Sequence, residues 1–165
     1  MHYEVRDAKL KLGEHCEQVL RSLPEWFGIE SALLTYVEKI DSLPTYTAVV
    51  EDRVVGFLSI EKHFNESAEI HVMGIMPEFH RMGIGRALQK RAEFDLRTQG
   101  VKFLQVKTLS TSRPNEDYAK TREFYLSMGF SPLEEMPVLW GAENPCLIMV
   151  KSLGFSQCDK KEDRK

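Results

Sequence analysis

The chain has 165 residues, 42% of them hydrophobic and 28% charged, which suits one globular domain with a single core. Its 22 basic and 25 acidic residues give a formal net charge of −3, a balance that argues against a dedicated nucleic-acid binder. The longest apolar run, Val54 to Ile60, contains Gly56 and Ser59 and falls well short of the ~18–20 residues of a membrane span.

The opening Met1-His2-Tyr3-Glu4 lacks the basic-then-apolar pattern of a secretory leader. Cys16, Cys146 and Cys158 are odd in number and show no CxxC spacing. Together these features predict a reducing, cytoplasmic setting, with no disulfide framework, no zinc site and no membrane or nucleic-acid partner.

Residues 2–6 read as a first strand. Glu14–Leu23 and Glu30–Ile40 have helical spacing, and Pro24-Glu25-Trp26-Phe27-Gly28 between them reads as an aromatic turn. Thr45–Val50 and Val54–Glu61 form a predicted hairpin around Glu51-Asp52-Arg53. A strand over Ala68–Met76 precedes a helix that opens after Gly83, repeats Ile84, Leu88, Ala92 and Leu96, and stops at Gly100. Val101–Thr108 reads as a strand, Tyr118–Met128 as a helix stopped by Gly129, and Phe130–Leu139 and Cys146–Lys151 as the last strands. This order predicts a mixed α/β domain over residues 1–152, followed by a charge-rich tail, 153–165, that reads as disordered.

The stretch with most chemical content runs from Ile70 to Leu88. A strand ends, Pro77 breaks it, and Gly83 and Gly85 open a helix flanked by Arg81 and Arg86, with Lys90 and Arg91 beyond. Successive backbone N–H groups there, with the positive end of the helix dipole, suit a phosphate or pyrophosphate. A P-loop needs Gly-Lys-Ser/Thr where Gly85-Arg86-Ala87 stands, and the dinucleotide fingerprint needs a small residue at Leu88. An ATP-binding turn is therefore the weakest reading. Gly74 inside the preceding strand predicts a bulge that splays the strand and leaves backbone groups for an extended amide ligand. A strand that takes amides and a turn that takes pyrophosphate describe a site for coenzyme A.

His80-Arg81-Met82-Gly83-Ile84-Gly85 resembles the acyl-CoA turn of the GNAT superfamily of N-acetyltransferases, and Arg122-Glu-Phe-Tyr-Leu-Ser-Met-Gly-Phe130 resembles its later Phe-Tyr-x-x-x-Gly-Phe motif. The resemblance implies a single mixed, mostly antiparallel sheet flanked by helices, and acetyl-CoA as acyl donor without a metal. It places the cofactor on Gly74, Ile75, Met76, Arg81, Met82, Gly83, Ile84, Gly85, Arg86 and Ala87. It also implies that the Ile75 N–H polarises the thioester carbonyl and that Tyr125 protonates the departing sulfur. His80 departs from the family's Gln or Arg, and Tyr118 from an asparagine, although Asn115 lies nearby.

Glu69 and His71 alternate along one strand and fall on one face with Met73; Glu69 is the first candidate for the base and His71 the second. None of the cysteines has a recognisable base partner, so direct transfer is expected over an acyl-cysteine. Trp26, Phe27 and Trp140 are candidates for contact with the acceptor. The expected activity is acetyl transfer from acetyl-CoA to a primary amine, on a small molecule or an exposed protein amine. A catalytically idle acyl-CoA-binding sensor is the alternative, and the late strands offer a surface for a homodimer.

Overall fold

The structure, a computed structural model, describes residues 2–154. The expectation for the tail from residue 155, with Cys158, lies outside the described residues. Seven strands form one sheet: β1 (Glu4–Lys9), β2 (Thr45–Val50), β3 (Arg53–Phe64), β4 (Ser67–Ile75), β5 (Phe103–Leu109), β6 (Ser131–Met136) and β7 (Cys146–Ser152). Their order across the sheet is β1-β2-β3-β4-β5-β7-β6. Only β4 and β5 run parallel; the other neighbouring pairs are antiparallel. The mixed, mostly antiparallel sheet expected from the sequence is present.

The helices are α1 (Gly13–Arg21), α2 (Pro24–Phe27), α3 (Glu30–Asp41), α4 (Ile84–Thr98) and α5 (Glu116–Ser127). The Pro24–Phe27 segment, expected as a turn, is one helical turn with Pro24 in its first position, where the missing N–H is harmless. Asn115 caps α5, its side-chain oxygen accepting from the Tyr118 N–H at 3.0 Å.

Two glycines show how the sheet is covered. A Cβ on Gly74 would meet Leu23 and Val19 near α1, whereas one on Gly56 would meet Ile84 of α4. Gly74 pairs with Phe57, the neighbour of Gly56, so α1 and α4 lie on opposite faces. Both faces of the middle strands are thus buried, and β2 is buried from Thr45 to Val49. Phe57, Leu58, Leu20, Leu88, Leu104 and Met149 belong to one continuous core.

The splay of β4 has a different origin from the one expected. Gly74 sits in regular register and is small because α1 packs on it: its nearest contact, Leu23 Cδ1, would lie 3.1 Å from a Cβ. The bulge falls at His71, because Val72 pairs with Ser59 while Ile70 pairs with Ile60. The extra residue also breaks the expected alternation. Glu69 pairs with Glu61 and Met73 with Leu58, positions on opposite faces of β3, so Met73 does not share the face of Glu69.

Candidate active site

β4 and β5 pair through four positions, from Ser67↔Phe103 to Ile70↔Val106, and then part. The bulge at His71 bends β4 at the point where the pairing ends. A cavity of about 930 Å³ opens in the gap, lined by residues that include Trp26, Phe27, Trp140, Gly83, Gly85 and Arg86.

The parting leaves backbone donors without strand partners. The Met76 N–H bonds the Val55 carbonyl of β3 at 2.9 Å. Strand alternation then turns the Ile75 N–H the other way, into the gap that β5 has left. The His80 ring donates to the Ile75 carbonyl at 2.6 Å, which fixes the end of the strand and leaves the Ile75 N–H free for a ligand. His80 thus has a clear structural task where the family carries Gln or Arg.

Beyond the strand, Arg81 (φ 59°) and Gly83 (φ 80°) both adopt left-handed conformations. Gly83 is the N-cap of α4, and no side chain caps the helix. The first intrahelical bond recorded there runs from the Ala87 N–H to the Gly83 carbonyl at 3.0 Å. The N–H groups of Ile84, Gly85 and Arg86 are therefore the helix's unpaired donors, collected at the cavity's end. Gly85 meets a different need. A Cβ there would lie 3.1 Å from Ile75 Cδ1 and 3.3 Å from the Phe124 ring, so glycine lets α4 start against both β4 and α5.

Of the expected cofactor residues, Gly74, Ile75, Arg81, Gly83, Ile84, Gly85 and Arg86 line the cavity. Met76, Met82 and Ala87 are not among the lining residues. Met76 is a core side chain whose N–H serves the sheet, and the Ala87 N–H serves the helix. For both, the N–H is already used by the sheet or by the helix.

Tyr125, on α5, reaches the cavity between Phe124 and Phe130, with ring centroids 5.4 Å from each. Burial, with Tyr118 nearby, raises its phenol well above the ordinary range, so it stays protonated at neutral pH and can act as a proton donor.

Across the cavity lies a charge cluster only half seen from the sequence. Glu69 is buried, its side chain 6% exposed; its carboxylate meets His63 Nε2 at 2.8 Å and Lys107 Nζ at 3.1 Å. Its cross-strand partner Glu61 meets Lys39 Nζ at 3.0 Å and His71 Nδ1 at 3.4 Å. Burial lowers the pKa of His71 against the opposing pull of Glu61 and Glu69, keeping the imidazole neutral and able to take a proton. The hydrogen bond from Lys39 holds Glu61 below the ordinary carboxylate range. His63, Glu61, Lys107 and Tyr36 are the residues that sequence reasoning missed. Alternation of Glu61 and His63 along β3 was the available signal, but only the register with β4 shows what they face.

Trp26, Phe27 and Trp140, the candidates for acceptor contact, all line the cavity. Trp26 is held by its indole N–H, which donates to Thr121 Oγ1 at 3.2 Å. The described cysteines do not fit an acyl-enzyme route. Cys16 is buried with its thiol pushed up to about 12, and burial raises Cys146 too. Ligand atoms of Glu61, His63 and Glu69 lie within 4.8 Å of one another and have the chemistry to hold a cation. Lys39 and Lys107 already supply positive charge to both carboxylates there.

The seven-stranded mixed sheet, parted between β4 and β5 and flanked by helices, is the fold of GNAT acetyltransferases. The acetyltransferase (GNAT) domain family matches residues 41–132, more than half of the chain, and the chain belongs to that family of enzymes. Among solved structures, a GNAT-family protein from Desulfovibrio desulfuricans superposes with TM-score 0.79 at 20% identity, covering 93% of this chain and 100% of its own. The aminoglycoside 6'-N-acetyltransferase from Enterococcus faecium gives TM-score 0.71 at 20% identity, covering 93% and 98%. The PaiA N-acetyltransferase from Thermoplasma acidophilum, in complex with coenzyme A, gives 0.72 at 20% identity, covering 92% and 99%. No curated protein matches the sequence. No helix among the described residues is long and apolar enough to cross a membrane.

Proposed function

We propose that the protein transfers an acetyl group from acetyl-CoA to a primary amine by direct attack. The observation that carries this reading is the parting of β4 from β5 beyond Ile70 and Val106, which leads from unpaired strand donors to the open start of α4. The pantetheine amides pair with the freed edge of β4, and the diphosphate sits on the N–H groups of Ile84, Gly85 and Arg86, with Arg81 beside it.

The chemistry follows from what surrounds the thioester. The acceptor ammonium first loses a proton to Glu69 or His71, and so to solvent. Its nitrogen lone pair forms the C–N bond while the Ile75 N–H stabilises the carbonyl oxygen. The C–S bond then breaks, the attacking nitrogen gives up its second proton, and Tyr125 delivers a proton to the thiolate. One ammonium and one thioester yield one amide, one thiol and one proton in solution. Free thiols at Cys16 and Cys146 support a cytoplasmic setting.

Thermal unfolding with acetyl-CoA, against ATP, tests the donor assignment. A ligand at 100 times its Kd stabilises by about 2.7 kcal/mol, which raises Tm by roughly 5–10 °C for a domain of this size. A shift with acetyl-CoA and none with ATP is expected. The absence of any shift with acetyl-CoA would overturn the proposal.

A further inference from the structure

We infer that the acceptor is a small primary amine with a single positive charge on a flat aromatic body, an arylalkylamine; this rests on the acetyl-transfer reading above. Two independent features of the cavity lead to it.

The first is charge. Glu61 and Glu69 lie side by side where an amine approaches the thioester, yet neither is free for a second cation. Lys39 and His71 hold Glu61, and Lys107 and His63 hold Glu69. A polyamine or aminoglycoside carries several ammonium groups, and each beyond the first would meet Lys39 and Lys107, with Glu61 and Glu69 already paired. His71 meets Glu61 through Nδ1 and lines the cavity, so one amine can be served through its ring.

The second is shape. Phe27 stands edge-on to Tyr36, with ring centroids 5.5 Å apart, and Tyr36 stands against His71 at 5.8 Å. Phe27, Tyr36 and His71 thus form a run of neighbouring rings in the cavity lining, to which Trp26 and Trp140 also belong. Trp26 has its polar edge satisfied by Thr121. An aromatic body gains from such a run of rings, and an ammonium at its end is drawn to the ring faces. The reaction adds no chemistry: the amine nitrogen gains the acetyl carbon, the sulfur gains a proton, and one proton leaves to solvent.

The test measures thiol release from acetyl-CoA with 2-phenylethylamine, spermidine and kanamycin, beside the acetyl-CoA thermal shift. Phenylethylamine is expected to give a kcat/KM at least about tenfold above the other two. Trp140→Ala, at an exposed position the fold does not need, is expected to raise the KM for phenylethylamine several-fold and leave the acetyl-CoA shift unchanged. Lys39→Met frees Glu61 and is expected to raise spermidine turnover relative to phenylethylamine. A preference for spermidine or kanamycin, or no turnover of phenylethylamine by a chain that still shows the acetyl-CoA shift, overturns the acceptor assignment alone. A chain without the shift fails at the donor, and both readings fall.

Discussion

Tyr125 and His71 divide the proton work of the proposed reaction, and their surroundings suit them to opposite halves of it. Tyr125 is buried between Phe124 and Phe130, and its raised pKa keeps it a donor. Tyr125→Phe keeps the ring and its packing and removes only the hydroxyl. Acetyl-CoA binding is expected to be unchanged while kcat falls by about 10²-fold, the low end for loss of a positioned acid; thiol release under saturating substrates reads this directly. An unchanged kcat would give the proton to water.

His71 is the mirror case. Glu61 and His63 on β3, Glu69 on its own strand, Lys107 on β5 and Lys39 and Tyr36 on α3 surround it. Burial dominates over these charges and lowers its pKa from 6.5. If His71 takes the acceptor's proton, the acid limb of kcat/KM lies below pH 6.5, and activity falls as pH drops through the lowered value. His71→Gln would abolish that limb; a variant with the same profile would leave Glu69 as the base. The same shift makes the unfolded chain bind more protons in this range, so this residue's contribution to stability is lost as pH falls below its unfolded pKa.

At the scale of elements, the turn between β4 and α4 has two glycines with separate jobs, and substitution should separate them. Gly83 has φ 80°, and a Cβ there would meet only the Tyr3 hydroxyl at an ordinary 3.8 Å, so Gly83→Ala strains the backbone by about 1–2 kcal/mol without a clash. Gly83→Asp adds a carboxylate at the unpaired helix donors, and the acetyl-CoA thermal shift is expected to vanish with Asp and persist with Ala. Persistence with Asp would move the diphosphate elsewhere. Gly85→Ala has ordinary backbone geometry but presses Ile75 and Phe124, so α4 shifts from β4, costing about 1–3 kcal/mol as overpacking does.

This turn was also the most legible part of the sequence, because its residues act through the backbone and are consecutive in the chain. Periodicity likewise placed the seven strands and the four longer helices in order, while the single turn of α2 was read as a turn. Illegible features were those set by pairing. A bulge depends on the register of two strands, so Gly74 marked the strand but not the residue, His71, that bends it. Met73 changed face for the same reason. Glu61 and His63 join the cavity lining only because β3 lies beside β4, and the Met76 N–H turns to β3.

The whole molecule is a continuous sheet with a weak seam. β1 to β4 make one antiparallel block and β5, β7 and β6 another, joined by four parallel residue pairs between β4 and β5. Links away from the seam include Arg97 Nε of α4 donating to the Leu153 carbonyl at 2.8 Å, Lys151 of β7 meeting Glu93 of α4, and Trp26 of α2 donating to Thr121 of α5. A ligand in the gap would touch both blocks, pairing with β4 on one side and packing against α5 on the other. It therefore acts as the missing length of the seam, supplying partners for donors that β5 has abandoned.

Amide exchange distinguishes this from binding confined to the turn. Protection is expected to rise on adding acetyl-CoA at Ile75 and at the start of α4, and also in α5, on the far side of the gap. Strands β1 and β2, remote from the seam, should change least, since local openings there do not require the two blocks to separate. Protection limited to residues 83–86, with α5 unaffected, would mean that the cofactor is held by its diphosphate alone. The pantetheine arm would then lie outside the gap, and Tyr125 would have no sulfur to protonate.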